Sequence, residues 1–167
     1  SALARKAVAA RIMGDDVQAM FFWYHAANLL IEDSPVDRVI LEHDGVAGMD
    51  DVAVYYRAPG VDTGGRLSRA DFFQVKYHVD QRDAYCSRNL IESGIAANKS
   101  SLLQRFHTGY RAARVDHDWF LLNFASNWGW KSDDPLAMSI REDGSLPDAF
   151  FTDGPKSKLG AVREAWR

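Results

Sequence analysis

A strand, a long helix and a second strand follow one another in the second half of the sequence, and this order restricts the fold more than any other feature. The segment from Asp71 to Val79 is rich in β-branched and aromatic residues, as strands are. From Asn89 to Arg114 the apolar residues recur at helical spacing, and the apolar run from Trp119 to Ala125 is typical of a central strand buried on both faces. Because a helix between two strands is typical of a crossover to a parallel strand, the sequence predicts an α/β protein.

The N-terminal half adds a helix and two strands to this unit. An apolar-rich segment without Gly or Pro extends from Val17 to Ile31, and Asp15 or Asp16 is placed to cap its N-terminus. Two short β-branched runs, Arg38 to Glu42 and Asp51 to Tyr56, are bounded by turn residues and are predicted to be strands. Together these elements predict a mixed central sheet flanked by helices.

The length of the chain and the pattern at its C-terminal end bear on its domain organisation. A chain of 167 residues fits one domain, so residues 1–167 are expected to form a single one. The last predicted helix begins near Pro155 and reaches the end of the sequence without a stop signal. We therefore expect the chain to be a piece of a longer protein.

Composition excludes several classes of protein. Apolar residues make up 47% and charged residues 26% of the chain, which is ordinary for a globular protein and unlike a disordered one. No apolar run approaches the ~20 residues that cross a bilayer, and no signal peptide is evident, so a soluble, cytoplasmic protein is expected. The single cysteine, Cys86, has no recognisable Cys-His-Asn arrangement around it, which makes a thiol enzyme the weakest interpretation.

Charge is distributed unevenly along the chain, although the net charge is only −3. No acidic residue occurs between Ser93 and Val115. The basic residues in or beside the predicted helix are candidates for contact with a nucleic-acid backbone: Lys99, Arg105, Arg111 and Arg114. A solvated helix face is the other interpretation of these residues. Acidic residues cluster instead between Glu32 and Asp51, where they would surround a cation.

Three polar residues are predicted to converge at one end of the second and third strands. Because the apolar residues of each strand face the packed side, Asp51 of one strand and Gln74 and Lys76 of the next fall together on the other side. A carboxylate and an amide oxygen can hold Mg²⁺ or Mn²⁺, which polarises a phosphate and activates a bound water, and a lysine can orient that water. This set of residues indicates hydrolysis of a phosphodiester.

Three further residues are candidates for the same site. Glu42 ends the preceding strand nine residues before Asp51, so a hairpin would bring the two side by side. Gln18, in the first helix, would support the metal ligands or contact a metal-bound water. Asp50 competes with Asp51 as a ligand, since strand parity favours Asp51 but a β-bulge would exchange the two.

The order of these motifs resembles the PD-(D/E)xK nucleases in which Gln replaces the second acidic residue. More narrowly, the region from Gly14 to Lys76 is similar to the N-terminal DNA endonuclease domain of effectors in bacterial cyclic-oligonucleotide antiphage (CBASS) systems. The similarity rests on five motifs: Gly14-Asp-Asp-Val-Gln18, Phe22-Trp23, Leu41-Glu42, Asp50-Asp-Val52 and Gln74-Val-Lys76.

This resemblance implies a restriction-endonuclease-like fold and a Mg²⁺-dependent (or Mn²⁺-dependent) endonuclease that cuts double-stranded DNA. It also implies activation through a separate C-terminal domain that binds a cyclic oligonucleotide, accompanied by homo-oligomerisation. The expected catalytic residues are Asp51, Gln74, Lys76, Glu42 and Gln18, and the expected metal ligands are Asp51, Gln74, Glu42 and Asp50. A nuclease-like fold without catalysis, used for nucleic-acid binding or assembly, is the alternative.

Overall fold

A computed structural model of the chain describes residues 2–61, 65–79, 84–93, 100–152 and 154–166. Its helices are α1 (Ala2–Ala26), α2 (Leu102–Asp116), α3 (Asp148–Thr152) and α4 (Lys158–Ala165), and its strands are β1 (Val36–Leu41), β2 (Val52–Val61), β3 (Leu67–Lys76) and β4 (Phe120–Ser126). Short 3-10 helices cover Ala27–Leu30, Ser87–Leu90 and Ala137–Ser139. None of the helices in these ranges has an apolar stretch long enough to cross a bilayer.

The four strands form one mixed sheet in the order β1-β2-β3-β4. The strands β1, β2 and β3 pair antiparallel, whereas β4 runs parallel to β3, with Ala70 opposite Phe120 and Lys76 opposite Ser126. Helix α2 lies in the connection between the two parallel strands. The predicted α/β class, with a crossover to a parallel strand and a mixed sheet flanked by helices, is therefore confirmed.

The strand β4 lies at the edge of this four-stranded sheet, not at its centre. Each of its residues is half-buried, whereas Ala53 of β2 and Phe72 of β3 are fully buried. The prediction of a central strand over Trp119 to Ala125 is therefore wrong. A continuous apolar run indicates contact on both faces of a strand, but it does not show whether another strand pairs beyond it.

Helix α1 begins at Ala2, so Asp15 and Asp16 lie in its interior and the predicted N-cap is wrong. The segment before Gly14 is rich in alanine, the best helix former, and this propensity extends the helix towards the N-terminus. Gly14 interrupts the run of good helix formers but does not end the helix, because one glycine lowers helix stability by only ~1 kcal/mol relative to alanine.

Helix α2 begins at Leu102, whereas the predicted helical segment begins at Asn89. Of that segment, residues 94–99 lie outside the described residues, and Ser87–Leu90 forms a 3-10 helix. The Ser101 Oγ accepts a hydrogen bond from the Gln104 backbone N–H at 3.2 Å, and Gln104 Oε1 accepts one from the Ser101 N–H at 2.8 Å. This reciprocal capping box fixes the start of the helix. Apolar spacing alone does not reveal this capping box, so the predicted start at Asn89 is too early.

Both faces of the sheet are packed. On one face, Phe21 and Phe22 of α1 pack against a buried cluster formed by Val36, Val52 and Val54. The other face carries a second cluster, which includes residues of the β1–β2 connection, of the sheet and of α2: Val46, Met49, Ala53, Ala70, Phe72 and Ala113. The side of the sheet that carries Gln74 is therefore packed as well.

Contacts along the chain divide it into two compact units. The first comprises Ser1–Gln81 and Arg105–Asn127 and contains the sheet. The second comprises Arg82–Gln104 and Trp128–Arg167. Within this second unit, Asp134 accepts hydrogen bonds from the backbone and side chain of Ser87, and the Trp166 indole donates to the Ser87 carbonyl.

Candidate functional site

Asp51, which directly precedes β2, lies beside Gln74 of the adjacent strand β3. The antiparallel register pairs Val52 with Phe73, which places Asp51 next to Gln74. The Gln74 side-chain amide donates a hydrogen bond to Asp51 Oδ2, and the Val75 backbone N–H donates a second one to the same oxygen at 2.6 Å. Two donors therefore hold the Asp51 carboxylate in place.

The side chain of Gln74 is fully buried, with 0% exposure. Its Oε1 atom has no hydrogen-bond partner in the part of the chain that the structure describes. Leaving a buried oxygen unpaired costs roughly 1–3 kcal/mol, and such atoms are rare in native folds. Gln74 Oε1 is therefore a candidate ligand for a cation beside Asp51.

Lys76 lies two residues beyond Gln74 and is half-buried. Burial lowers the pKa of the Lys76 ammonium, and the charge of Asp51 opposes this effect. Burial likewise raises the pKa of the Asp51 carboxyl, which Lys76 and the hydrogen bond from Val75 partly offset. The site thus holds a carboxyl and an amino group with opposing pKa shifts where water is partly excluded, and such shifts are common at functional sites.

Glu42 and Gln18 both reach the backbone of Asp51. The Glu42 N–H donates to the Asp51 carbonyl at 2.9 Å, and Gln18 Nε2 donates to the same oxygen at 3.2 Å. Glu42 has a positive φ of 52°, which no other described non-glycine residue shows. Backbone strain of this kind costs roughly 1–3 kcal/mol and clusters at functional sites. The structure therefore places both residues beside Asp51. For Glu42, this is the position that the predicted hairpin requires.

Asp50 has a different partner from its neighbour. Its Oδ1 lies 3.8 Å from Nη2 of Arg105, which α2 contributes. No bulge exchanges the two acids, because the register irregularities lie away from them, between Val36 and Arg38 of β1 and between Tyr55 and Gly60 of β2. Asp51 is consequently the acid that faces Gln74.

An open cleft of about 280 Å³ lies beside Asp51, and neither Gln74 nor Lys76 is among its lining residues. Its lining residues are Gln18, Glu42, His43, Asp44, Asp50 and Asp51. His43 and Asp44 are absent from the predicted site, although their position directly after Glu42 in the hairpin could have indicated them. His43 lies 2.9 Å from the Tyr55 hydroxyl through Nε2 and accepts the Gly45 N–H at 3.2 Å through Nδ1.

The donor set fits a hard divalent cation such as Mg²⁺ or Mn²⁺. In the described ranges, no three His, Cys, Asp or Glu side chains are close enough to hold a metal ion by themselves. Mg²⁺ keeps several of its waters and is often held by only one or two carboxylates. Asp51 together with the unpaired Gln74 Oε1 meets this requirement, and Glu42 lines the same cleft.

Among the four basic residues that were predicted to contact nucleic acid, those that the structure describes differ in their exposure to solvent. Arg105 points inward, with a side chain that is 13% exposed. Arg111 and Arg114 are exposed, and the Arg114 guanidinium lies 5.6 Å from the centre of the Tyr110 ring. Lys99 lies outside the described residues. Only Arg111 and Arg114 are therefore seen on the surface in this structure.

The fold and the site together define a mixed α/β protein with a carboxylate, a carboxamide and a lysine at the meeting point of two strands. No known protein-family profile matches the sequence. The chain is 31% identical over 159 residues to CD-NTase-associated protein 4 of Enterobacter hormaechei subsp. hoffmannii (strain UCI 50). The aligned region covers 92% of this chain and 31% of that relative, so the chain spans less than a third of the relative's length. The name of this relative records an association with a CD-NTase.

Proposed function

We propose that the chain is a metal-dependent endonuclease that hydrolyses phosphodiester bonds of double-stranded DNA and acts as an antiphage defence effector. The observation that supports this function best is the junction of Asp51 and Gln74, where a fully buried amide oxygen has no partner among the described residues. A purely structural strand pair gains nothing from an unpaired buried oxygen, whereas a cation site uses one.

In this proposal the residues of the site have distinct roles. Asp51, Gln74 Oε1 and Glu42 would hold Mg²⁺ or Mn²⁺ next to the cleft. When bound, such an ion polarises the phosphate and lowers the pKa of a coordinated water. Lys76 orients the attacking water and offsets the negative charge that develops on the phosphate, and Gln18 keeps the start of β2 in position through the Asp51 carbonyl.

The remaining parts of the proposal concern the longer protein. The aligned relative is named for its association with a CD-NTase, and the chain corresponds to less than a third of its length. We infer that a C-terminal domain binding a cyclic oligonucleotide controls the nuclease and that the protein forms homo-oligomers when active. Two sites in one assembly would cut both strands of a duplex.

Cleavage of supercoiled plasmid DNA tests the proposed activity. The purified protein is expected to nick and linearise the plasmid with Mg²⁺ or Mn²⁺, and EDTA should stop the reaction. Asp51→Ala and Lys76→Ala should each lower the rate by roughly 10²-fold or more, because each removes a group that acts in the chemical step. The matched controls are Asp37→Ala and Lys131→Ala, whose side chains are exposed and outside the site.

Two results would count against this function. Unchanged cleavage by Asp51→Ala and Lys76→Ala would show that the nuclease site lies elsewhere. If the natural full-length protein bound double-stranded DNA without cutting it under any of these conditions, including with cyclic oligonucleotides added, the alternative of a nuclease-like fold for binding or assembly would be correct.

A further inference from the structure

Arg105 is fixed against the β1–β2 connection, which carries Asp50. Gly48 in this connection has a φ of +82°, and a Cβ atom there would lie 3.2 Å from Arg105 Cβ. One turn further along α2, a Cβ on Gly109 would lie 2.5 Å from Met49 Cγ, so the absence of a side chain allows the close approach. The helix and the connection therefore pack backbone to backbone at the place where Arg105 points towards the site.

The contact between Arg105 and Asp50 is electrostatic and not a hydrogen bond. The distance from Nη2 to Oδ1 is 3.8 Å, which exceeds hydrogen-bond length. Arg105 Nη1 and Asp50 Oδ1 are both buried and have no hydrogen-bond partner among the described residues. The Arg105 side chain is 13% exposed and that of Asp50 is 49% exposed. Two opposite charges thus face each other in a partly buried place, and each compensates the other.

The two consecutive acids of the site therefore differ in their surroundings. Asp51 accepts hydrogen bonds from two neutral donors, Gln74 and Val75, which leave its charge in place. Asp50 faces a full positive charge. Lys76 and Arg105 also attract the Asp51 carboxylate, but among the described residues the cation at salt-bridge distance lies beside Asp50. A divalent cation in the cleft would therefore meet an Asp50 charge that the neighbouring guanidinium offsets more directly than that of Asp51.

We propose that Arg105 is the resident counter-ion of Asp50, which neutralises this carboxylate and leaves cation binding to Asp51 with Gln74 and Glu42. This inference rests on the proposed metal-dependent function and assigns Arg105 a positioning role in place of contact with DNA. Because the Arg105–Asp50 pair is neutral as a whole, removing one member changes the charge next to the cleft by one unit, and removing both leaves it unchanged.

Titration of Mn²⁺ by calorimetry and electron paramagnetic resonance tests the proposal without measuring cleavage. Arg105→Met should tighten Mn²⁺ binding by roughly tenfold, because Asp50 then adds an uncompensated negative charge. Asp50→Asn should weaken it by a similar factor. Arg105→Lys, which keeps the charge, should bind like the wild type.

The decisive variant combines Asp50→Asn with Arg105→Met. The proposal predicts an affinity within about threefold of the wild type, because the two single effects cancel in a double-mutant cycle. The double variant carries no uncompensated charge at this position, so it tests the proposal even if Arg105→Met alone does not fold. A double variant that binds Mn²⁺ as weakly as Asp50→Asn would overturn the proposal, since Asp50 would then be a ligand itself.

Failure of the proposed metal site gives a different result. Asp51→Asn should abolish Mn²⁺ binding whatever residue occupies position 105. If the wild type bound no Mn²⁺, or if Asp51→Asn bound it as well as the wild type, the metal site would be refuted and the role of Arg105 with it. If Asp51→Asn lost binding but Arg105→Met left the affinity unchanged, only the counter-ion role would be refuted.

Discussion

Replacing Asp51 with asparagine should stabilise the protein while it abolishes cleavage. Burial raises the pKa of the Asp51 carboxyl above its ordinary value, so the ionised form costs stability at neutral pH. Asparagine has nearly the same shape, and its Oδ1 can accept both hydrogen bonds that Asp51 receives from Gln74 and Val75. The substitution therefore removes the cost of the buried charge and keeps the donors paired.

The expected gain in the free energy of unfolding is about 0.5–2 kcal/mol at pH 7.5, the range common for a single stabilising substitution. For a chain of this size, 1 kcal/mol corresponds to a rise in melting temperature of roughly 2–4 °C. Below the unfolded-state pKa of 3.8, the raised pKa of the folded state costs no stability. The gain from asparagine should therefore shrink as the pH is lowered towards that value. Urea unfolding of the metal-free protein at several pH values measures it.

Asp134→Asn is the matched control, because the same substitution should have the opposite sign. Burial raises the pKa of the Asp134 carboxyl, but hydrogen bonds from Ser87, Ala137 and Leu136 outweigh this effect and lower it overall. Its charge therefore contributes stability at neutral pH, which the substitution removes and which disappears as the pH falls through the folded pKa. If Asp51→Asn destabilised the protein as Asp134→Asn does, Asp51 would be a structural carboxylate and the reasoning would be refuted.

Three further predictions concern other parts of the first unit. Gly109→Ala should lower the free energy of unfolding by about 1–3 kcal/mol in urea titrations, because the new methyl group overlaps the fully buried Met49; an unchanged midpoint would contradict this packing. Without metal, Gln74→Glu should melt at a lower temperature than the wild type, because it replaces a hydrogen-bond donor to Asp51 with a like charge. Mn²⁺ should raise the melting temperature of this variant more than that of the wild type. Equal shifts would argue against a cation beside Asp51. Burial lowers the pKa of His25 below 6.5, so the stability that the neutral ring contributes above this pH should be lost as the pH falls through the folded pKa. The free energy of unfolding of His25→Phe should therefore depend less on pH between pH 7 and 5 than that of the wild type. An identical pH dependence would contradict the assignment.

The sequence carries enough information to place Asp51 beside Gln74. Alternation along a strand fixes which residues share a face, and the short hairpin fixes which strand pairs with which, so local rules give the correct neighbours. The same holds for the parallel pairing of β3 with β4, because a helical connection between two strands leads to that arrangement.

The contacts of α2 with the β1–β2 connection could not be predicted in this way. The pairing of Arg105 with Asp50 depends on how a helix docks on the sheet, and the relevant residues are far apart in the chain. The missing side chains at Gly48 and Gly109 allow that docking, yet a glycine in the sequence does not show which element approaches it. Arg105 consequently resembled an exposed basic residue in the sequence.

A crystal of the protein soaked in Mn²⁺ tests the central claim most directly, because anomalous scattering locates the ion. We predict one strong peak at ~2.1 Å from an Asp51 carboxylate oxygen and from Gln74 Oε1, with Asp50 still facing Arg105. The peak should be absent from crystals of Asp51→Asn grown in the same way. A Mn²⁺ ion held elsewhere on the protein, or none beside Asp51, would contradict a metal-dependent site at this junction.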